Sequence, residues 1–392
     1  MTFATRIATA GGPSVTVISE TSAITDWVGR YLGLWWTAES VDPGTAGGPV
    51  IRADVDEQQH AALRGRVLAG RPEEVAYAAA PMLVIRSGSG LVTATQSQDR
   101  VSYEWAPDAT RMRIVGTDET AVATATARLA REVVRGRLLA DGWQILHASA
   151  VTRPADGATL LTLGDKGAGK TTTGFLLART GRLQLLANDR VFARFDGEAI
   201  RVLPWPSAAA IGFGLLDALG WYEPVRARVR AGERMHPTQK QQVTDALRAG
   251  DRTPLWKASG VEMKPQFFPD QLETWLGLSL ATEGHAVGIL FPEINAKAVP
   301  ELTDAARGVA DADFFGAATE DRYPDVFGLL PAEASTAELA GHLGRLPHQA
   351  FTMNHDPDAS TAVLLEAVER ARSTGPYPYS APWFREEQGP RQ

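Results

Sequence analysis

A glycine-rich segment in the middle of the sequence has the composition and spacing of a phosphate-binding loop. Residues 164–171 (GDKGAGKT) fit the pattern G-x-x-x-x-G-K-[ST]. Glycine lets the backbone curl so that successive N–H groups point at phosphate oxygens without a side-chain clash. In this pattern Lys170 would contact the β- and γ-phosphates, and the Thr171 hydroxyl would bind Mg²⁺. The segment therefore predicts a site for ATP or GTP together with Mg²⁺.

The elements around this loop meet the structural requirement of the pattern. Residues 158–163 (ATLLTL) predict a strand that runs directly into the loop, and a helix is predicted from Thr171 onward. The N-terminal dipole of such a helix favours a bound anion. A chance match in a glycine-rich turn is the alternative, and the flanking strand and helix argue against it. The residues assigned to nucleotide binding are Gly164, Asp165, Lys166, Gly167, Ala168, Gly169, Lys170, Thr171 and Thr172.

An aspartate that ends the next apolar segment is the second candidate. Residues 183–189 (LQLLAND) predict a strand, and Asp189 follows Lys170 by 19 residues. An aspartate at the C-terminal end of a strand can lie beside the phosphate loop and reach Mg²⁺ or an incoming hydroxyl group. A turn that only ends the strand is the alternative for Asn188-Asp189. The short separation from the loop favours a role for Asp189 in catalysis or metal binding.

His147 is the third candidate, 17 residues before Gly164. It lies in residues 143–151 (WQILHASAV), which predict a single strand. If this strand neighbours the strand of the phosphate loop, the imidazole could approach the γ-phosphate. A histidine that only satisfies its own hydrogen bonds in the core is the alternative.

These three segments together resemble the HPr kinase/phosphorylase superfamily, whose fold is related to that of phosphoenolpyruvate carboxykinase. Residues 146–150 (LHASA), the loop and residues 186–190 (LANDR) occur in the order and spacing of that superfamily. The match covers residues ~140–215. The resemblance implies that His147 and Asp189 serve phosphoryl transfer to a hydroxyl group, while Lys170 and Thr171 hold the nucleotide and Mg²⁺.

Differences between this sequence and the motifs of the superfamily limit which substrates we expect. The bifunctional enzymes usually have Ser and then Glu after the loop lysine, where this chain has Thr171 and Thr172. They also carry paired aspartates where this chain has Asn188-Asp189, and their second signature near the C-terminus is not recognisable here. These differences favour a kinase-only relative that acts on a small metabolite or a peptide precursor, as in natural-product biosynthesis, over phosphorylation of HPr.

A single carboxylate at the strand end leaves two assignments of the chemistry. Either Asp189 is the base while Thr171 and phosphate oxygens hold the metal, or Asp189 is a metal ligand and His147 is the base. We favour Asp189 as the base, because a loose, metaphosphate-like transition state mostly needs the nucleophile to be positioned.

The predicted function is therefore a Mg²⁺-dependent kinase that transfers the γ-phosphoryl group of ATP or GTP to a hydroxyl of a small metabolite or a peptide Ser/Thr. The main alternative is a nucleotide-binding regulatory module that hydrolyses slowly and acts through a partner protein. Such a switch needs only the loop and metal ligands, so the co-occurrence of His147 and Asp189 favours the kinase. A carboxykinase-like lyase is a third alternative, but no second set of metal ligands is evident in the sequence.

Composition excludes several other classes. The chain has 392 residues with 46 acidic and 39 basic side chains, and this acidic balance argues against a nucleic-acid binder. Cysteine is absent, which excludes disulfides, thiolate zinc sites and cysteine nucleophiles. No stretch reaches the ~18 uncharged apolar residues of a membrane span, and the N-terminus lacks an apolar signal region. We therefore expect no membrane association and a cytoplasmic location, with the oligomeric state left open.

The organisation predicted for the chain is α/β, combining an α+β N-terminal domain with a kinase domain. The first domain covers residues 1–135, for scaffolding or substrate contact, and includes most of an amphipathic helix over Glu119 to Leu139. Residues 136–374 predict an HPr-kinase-like domain with a mixed central sheet, and residues 375–392 a loose tail. Within the kinase domain, Lys264 could contact phosphate or an acidic substrate. For Lys264 and for the nearby Trp256-Lys257, a solvated surface position is the favoured interpretation.

Overall fold

The structure, a computed structural model, describes residues 1–78, 80–304, 307–316 and 323–374. Helices alternate with strands of mixed sheets, which confirms the predicted α/β class. In these ranges no helix is both long enough and apolar enough to cross a membrane. The predicted tail over residues 375–392 lies outside the described residues. The chain divides into two compact units, Met1–Gln144 with Phe315–Ala334, and Ile145–Phe314 with Ser335–Gln392.

The first unit is built on one large sheet. Its described strands, β1 to β9, are Phe3–Ala8, Ser14–Ser19, Thr37–Ser40, Val50–Val55, Glu73–Tyr77, Ala80–Arg86, Val92–Gln96, Val101–Ala106 and Arg111–Gly116. They lie in the order β3-β1-β2-β4-β9-β8-β7-β6-β5, with β2, β4 and β9 parallel to one another. Helices α1 (Ser22–Leu32), α2 (Glu57–Ala69) and α3 (Glu119–Ala140) pack against this sheet.

Helix α3 corrects the predicted domain boundary. The prediction ended the first domain at residue 135, but α3 is continuous from Glu119 to Ala140 because its apolar residues are buried along nearly its whole length. The carboxylate of Asp118 accepts a hydrogen bond from the N–H of Ala121 and so caps the start of this helix. The compact unit therefore extends through Gln144, and it also includes Phe315–Ala334 from inside the predicted kinase domain.

The second unit contains a mixed central sheet, as predicted. The strands β10 to β22, among the described residues, are Gln144–Leu146, Ser149–Thr152, Ala158–Thr162, Gln184–Ala187, Val191–Phe195, Ile200–Pro204, Ala209–Ala210, Leu255–Trp256, Glu262–Met263, Gln266–Phe267, Gly284–Ile294, Glu301–Thr303 and His348–Met353. The helices α4 to α10 are Lys170–Arg179, Phe213–Ala218, Tyr222–Arg230, Gln241–Ala249, Pro269–Thr274, Ala337–Leu343 and Pro357–Thr374.

The strand directions in this sheet bring several strand ends to one edge. The central order is β10-β14-β15-β20-β12-β11-β13, and β22 pairs with β20. Strand β11 is antiparallel to both β12 and β13, so β12 and β13 run in the same direction. Strands β20 and β22 are parallel to β12. The C-terminal ends of β12, β13, β20 and β22 therefore face the same edge, where the start of β11 also lies.

The predicted strand over residues 143–151 is wrong as a single element. It is broken at His147-Ala148 into β10, which pairs with β14, and β11, which pairs with β12 and β13. The N–H of His147 donates to the carbonyl of Asp313 (2.8 Å) instead of to a neighbouring strand. The residues on both sides of the break are buried and therefore apolar. The apolar pattern of the sequence thus continues across the break and does not reveal it.

Candidate nucleotide and phosphoryl-transfer site

The glycine-rich loop connects a buried strand to a helix, as its pattern requires. Strand β12 is buried along its whole length, and Leu163 continues it by donating to the carbonyl of Leu290 on β20 (3.0 Å). Helix α4 then begins at Lys170. The glycines of the loop have positive φ angles: +151° at Gly164, +92° at Gly167 and +112° at Gly169. Residues that carry a Cβ atom rarely adopt these φ angles. The glycines of the sequence pattern therefore lie where the backbone of the loop requires glycine.

The last loop glycine is also closely packed. A Cβ atom on Gly169 would lie 2.7 Å from Cε of Met353 and about 3 Å from the side chain of Ile294. Ile294 ends β20 and Met353 ends β22, so the ends of two parallel strands support the loop from below. Thr173 strengthens the same corner, because its hydroxyl donates to the carbonyl of Gly169 (3.0 Å). These contacts hold the loop in its curled form, and the binding of an anion by its N–H groups stays a prediction.

Lys170 occupies the position where the pattern requires a cation. Its Nζ donates to the carbonyls of Gly164 (2.5 Å) and Asp165 (3.1 Å), so the ammonium group lies over the loop. Burial lowers the pKa of Lys170 from its ordinary value, while the nearby charges of Asp189, Asp313 and Asp165 oppose this shift. The ammonium group is thus within electrostatic reach of acidic groups from three different segments.

Thr171 connects the helix to the end of β13. Its hydroxyl donates to the backbone carbonyl of Asn188 at 3.3 Å, and Asn188 itself is buried. The next residue, Asp189, leaves the sheet with its side chain 56% exposed and 3.5 Å from Nε of Arg190. This hydrogen bond brings the backbone that leads into Asp189 to the first turn of α4, and binding of Mg²⁺ by Thr171 and Asp189 stays a prediction.

A glycine in α4 determines how closely the helix approaches the sheet. A Cβ atom on Gly174 would overlap the hydroxyl of Ser149 on β11, so only glycine allows this packing. The Ser149 hydroxyl in turn donates to the carbonyl of Ala187 at the end of β13 (3.1 Å). Helix α4, β11 and β13 therefore share one contact point directly below the site.

His147 lies at the same edge of the sheet, half-buried at the break between β10 and β11. Its backbone contact brings Asp313 to the site, and the carboxylate of Asp313 is only 5% exposed. Arg307 binds this carboxylate with two hydrogen bonds of 2.7 and 2.9 Å, and its guanidinium group lies 4.5 Å from the ring centre of Phe291. The approach of the His147 imidazole to a γ-phosphate stays a prediction.

Arg307 and Asp313 were not among the residues expected from the sequence. Both lie near enough to Lys170 to affect its pKa. They are separated by 6 residues in an irregular segment, with no motif that could have identified them. The segment comes to the site through the backbone pairing of Leu146 with Phe314, which depends on the tertiary fold.

A cavity of about 290 Å³ lies at the first turn of α4. Thr171 and Thr172 form one side of it. Trp256, Glu262 and Lys264 line another side. The sequence favoured a solvated surface position for Trp256 and Lys264, and in the structure both also border this cavity. The other lining residues are Ala210, Gly212, Gly214, Leu215 and Pro254.

The oxygen atoms at the site suit Mg²⁺ that is bound together with a nucleotide, and not a metal ion that is held by protein side chains alone. No group of three or more His, Asp or Glu side chains in the described ranges is arranged to hold a metal ion. Mg²⁺ bound with a nucleotide takes one or two protein oxygens and completes its shell with phosphates and water. The Thr171 hydroxyl and the exposed Asp189 carboxylate supply oxygens of this kind. Asp165, Lys166 and Gly167 are exposed residues of the loop, and their contacts with a nucleotide stay predictions.

No protein-family model matches this chain, and a search among curated proteins finds no significant match.

Proposed function

We propose that this protein is a Mg²⁺-dependent kinase that transfers the γ-phosphoryl group of ATP or GTP to a hydroxyl group of a small metabolite or a peptide Ser/Thr. We further propose that it is a kinase-only relative of the HPr kinase/phosphorylase superfamily. The observation that carries the proposal is the hydrogen bond from Thr171 to the carbonyl of Asn188, because it holds Asp189 beside the first turn of the phosphate-loop helix. The cytoplasmic location expected from the sequence belongs to the same proposal.

The chain's own groups account for binding of the triphosphate. Loop N–H groups and the positive end of the α4 dipole attract phosphate oxygens. Gly169 precedes the helix and has no side chain that could compete for those N–H groups. Lys170 exchanges its contacts with the Gly164 and Asp165 carbonyls for contacts with the β- and γ-phosphates.

Transfer then needs an oriented hydroxyl group and a proton acceptor. The acceptor oxygen forms a bond to the γ-phosphorus as the bond from that phosphorus to the β–γ bridging oxygen breaks. The electron pair leaves with the nucleoside diphosphate, and the hydroxyl proton passes to Asp189. Because the transition state is loose, the main contribution of Asp189 is to orient the hydroxyl. Bound Mg²⁺, held by Thr171 and phosphate oxygens, neutralises charge on the phosphates.

The electrostatic setting supports transfer over simple binding. Lys170 is under the influence of Asp189 and Asp313 at once, and Arg307 binds Asp313, so an ion pair without net charge lies near the same ammonium group. Lys170 is the cation of this group that we expect to stabilise charge developing on the γ-phosphate during transfer. A switch needs only the loop and metal ligands, so this additional charged segment favours the kinase over the regulatory module.

Transfer of label from γ-labelled ATP tests the proposal directly. The protein is incubated with Mg²⁺, the labelled nucleotide and an extract of the cells that produce it, with Lys170→Met as the inactive control. Label in a small molecule or a peptide that depends on Lys170 supports the kinase. Label released only as inorganic phosphate contradicts it and favours the regulatory module.

A further inference from the structure

The cavity at the first turn of α4 is lined by other residues than the charged groups around Lys170. The described charged groups that affect the pKa of Lys170 are Asp189, Asp313, Asp165 and Arg307, and none of them lines this cavity. The cavity is instead bordered by Thr171 and Thr172. Lysine in the loop pattern contacts the β- and γ-phosphates, so the γ-phosphate belongs on the side of the charged groups. Thr171, the proposed Mg²⁺ ligand, and Thr172 border the cavity, so a nucleotide whose phosphates lie on the loop has room to extend its nucleoside into it.

The chemistry of the cavity walls suits an uncharged, partly aromatic group with hydroxyls. Trp256 is 61% exposed, although it is a large aromatic residue at the cavity wall. Glu262 is carried by the neighbouring strand of the same hairpin, where β17 pairs with β18, and its side chain is only 21% exposed. A carboxylate in this position repels phosphates, but it accepts hydrogen bonds from ribose hydroxyls. Nζ of Lys264 lies 3.4 Å from the Glu262 carboxylate and forms an ion pair with it.

The volume of the cavity agrees with this assignment. About 290 Å³ is near the lower end of the ~300–1,000 Å³ typical of ligand pockets, which suits one nucleoside and not a complete nucleoside triphosphate. An exposed aromatic ring at such a wall offers a stacking surface for a base, and every nucleobase has a π face that can use it.

We propose that this cavity is the nucleoside subsite, in which the base stacks on Trp256 and the ribose hydroxyls donate to Glu262. This inference rests on the proposed binding of a nucleoside triphosphate and names the residues that hold its nucleoside. It also makes Trp256 a determinant of nucleotide affinity that acts independently of the phosphate loop.

The experiment separates the nucleoside from the phosphates by comparing two ligands. Dissociation constants are measured by calorimetry for Mg²⁺-ATP and for Mg²⁺-bound inorganic tripolyphosphate. The proteins are the full chain, Trp256→Ala, Trp256→Phe and the control Lys257→Ala, an exposed residue in the turn of the same hairpin. Trp256→Ala is expected to weaken the binding of ATP at least about tenfold, since stacking on a base contributes this much to affinity. The affinity for tripolyphosphate is expected to be unchanged, because it has no base. Trp256→Phe keeps most of the affinity, and Lys257→Ala keeps all of it.

A second comparison tests the contact with ribose. Glu262→Gln is expected to weaken the binding of ATP by about 3- to 10-fold. The affinity for 2′,3′-dideoxy-ATP is expected to be unchanged, because its sugar has no 2′- and 3′-hydroxyl groups to donate to Glu262. Equal affinity of Trp256→Ala and the unchanged protein for ATP would overturn the nucleoside assignment while leaving the proposed function intact. If the unchanged protein binds neither ATP nor tripolyphosphate, the proposed function fails and the subsite fails with it.

Discussion

The hydroxyl of Thr171 donates a hydrogen bond of 3.3 Å to the backbone carbonyl of Asn188. One partner lies in the first turn of the phosphate-loop helix and the other directly follows strand β13, so this bond joins two segments that the sequence separates by 17 residues. It brings the backbone that leads into Asp189 to the first turn of α4, and the charge of Asp189 raises the pKa of Lys170. The chemistry proposed for Asp189 follows from this placement.

Asp189→Asn should abolish phosphoryl transfer and leave nucleotide affinity within a few-fold. The amide keeps the shape of the side chain but cannot accept the proton of the acceptor hydroxyl. Loss of a general base typically lowers the rate by about 10²–10⁴-fold. Label transfer and calorimetry with Mg²⁺-ATP measure the two effects separately.

Asp245→Asn is the matched control for this substitution, because Asp245 is an exposed aspartate of the same unit, on α7, outside the loop and the candidate site. It should retain most of the transfer activity. A loss of Mg²⁺-ATP affinity in Asp189→Asn as large as the loss of rate would assign Asp189 as the metal ligand, with His147 as the base.

Gly174→Ala should destabilise the second unit by about 1–3 kcal/mol, because the added methyl group overlaps the hydroxyl of Ser149. In a protein that already carries Ser149→Ala, the same substitution should be neutral or stabilising. The remaining contacts of the new methyl group, with Cβ of residue 149 and with Leu185, are then at 3.4–3.5 Å. Alanine also favours a helix over glycine by about 1 kcal/mol.

Urea unfolding of the four proteins in this cycle gives the coupling between positions 149 and 174. Ser149→Ala alone is expected to cost about 1 kcal/mol, since it removes a buried hydrogen bond to Ala187. If Gly174→Ala is equally destabilising with and without the Ser149 hydroxyl, the close approach of α4 to β11 is not as described.

Gly169→Ala should weaken nucleotide binding more than Gly167→Ala. Both glycines have positive φ angles, +112° and +92°, so alanine at either position is strained by about 1–2 kcal/mol. Only at Gly169 would the new methyl group also meet Met353 and Ile294, whereas a Cβ on Gly167 has no neighbour within 4 Å among the described residues. Calorimetry with Mg²⁺-ATP checks the order of the two variants, and the reverse order would contradict the packing of the loop against the strand ends.

Arg307→Ala should lower the transfer rate and destabilise the second unit by about 1–3 kcal/mol, because it leaves the buried carboxylate of Asp313 without its bidentate partner. The loss of stability is limited because the side chain of Arg307 is itself partly exposed to solvent. Arg307→Lys should recover less than half of the effect, since lysine cannot form both hydrogen bonds. Label transfer and urea unfolding report the two effects, and full activity of Arg307→Ala would exclude a role for this pair at the site.

Nucleotide affinity should fall at alkaline pH through deprotonation of Lys170. Burial lowers the pKa of Lys170 from its ordinary value, so its ammonium group loses its proton at a lower pH than an exposed lysine does. Affinity should be constant below that pKa and decrease above it. Asp189→Asn removes a charge that raises the pKa of Lys170, so it should move the decrease to lower pH.

Binding of a non-hydrolysable ATP analogue measured from about pH 7 to the ordinary lysine value of about 10.4 follows this titration. Lys170→Met lacks the titrating group and should bind weakly with no such decrease. A decrease of the same size in Lys170→Met would assign the titration to another group.

Local sequence was sufficient to identify the glycine-rich loop together with the strand and the helix that flank it. Glycine at 164, 167 and 169 encodes a backbone path that other residues resist, and an apolar run on either side encodes the flanking elements. Asp189 could be named as a candidate because it comes just after an apolar strand. His147 was identified, but the break in its strand was not, since residues on both sides of it are apolar and buried.

Residue types and their spacing by themselves determined the candidate phosphate loop, the α/β class and the elements that carry Lys170 and Asp189, because backbone conformation and burial depend on neighbours in the chain. Only the tertiary structure brought Arg307 and Asp313 to the loop and placed Trp256 and Glu262 at the first turn of α4. These residues lie in irregular segments or short hairpins. Their positions depend on pairings and contacts between distant parts of the chain, for which no periodicity or motif in the sequence provides a signal.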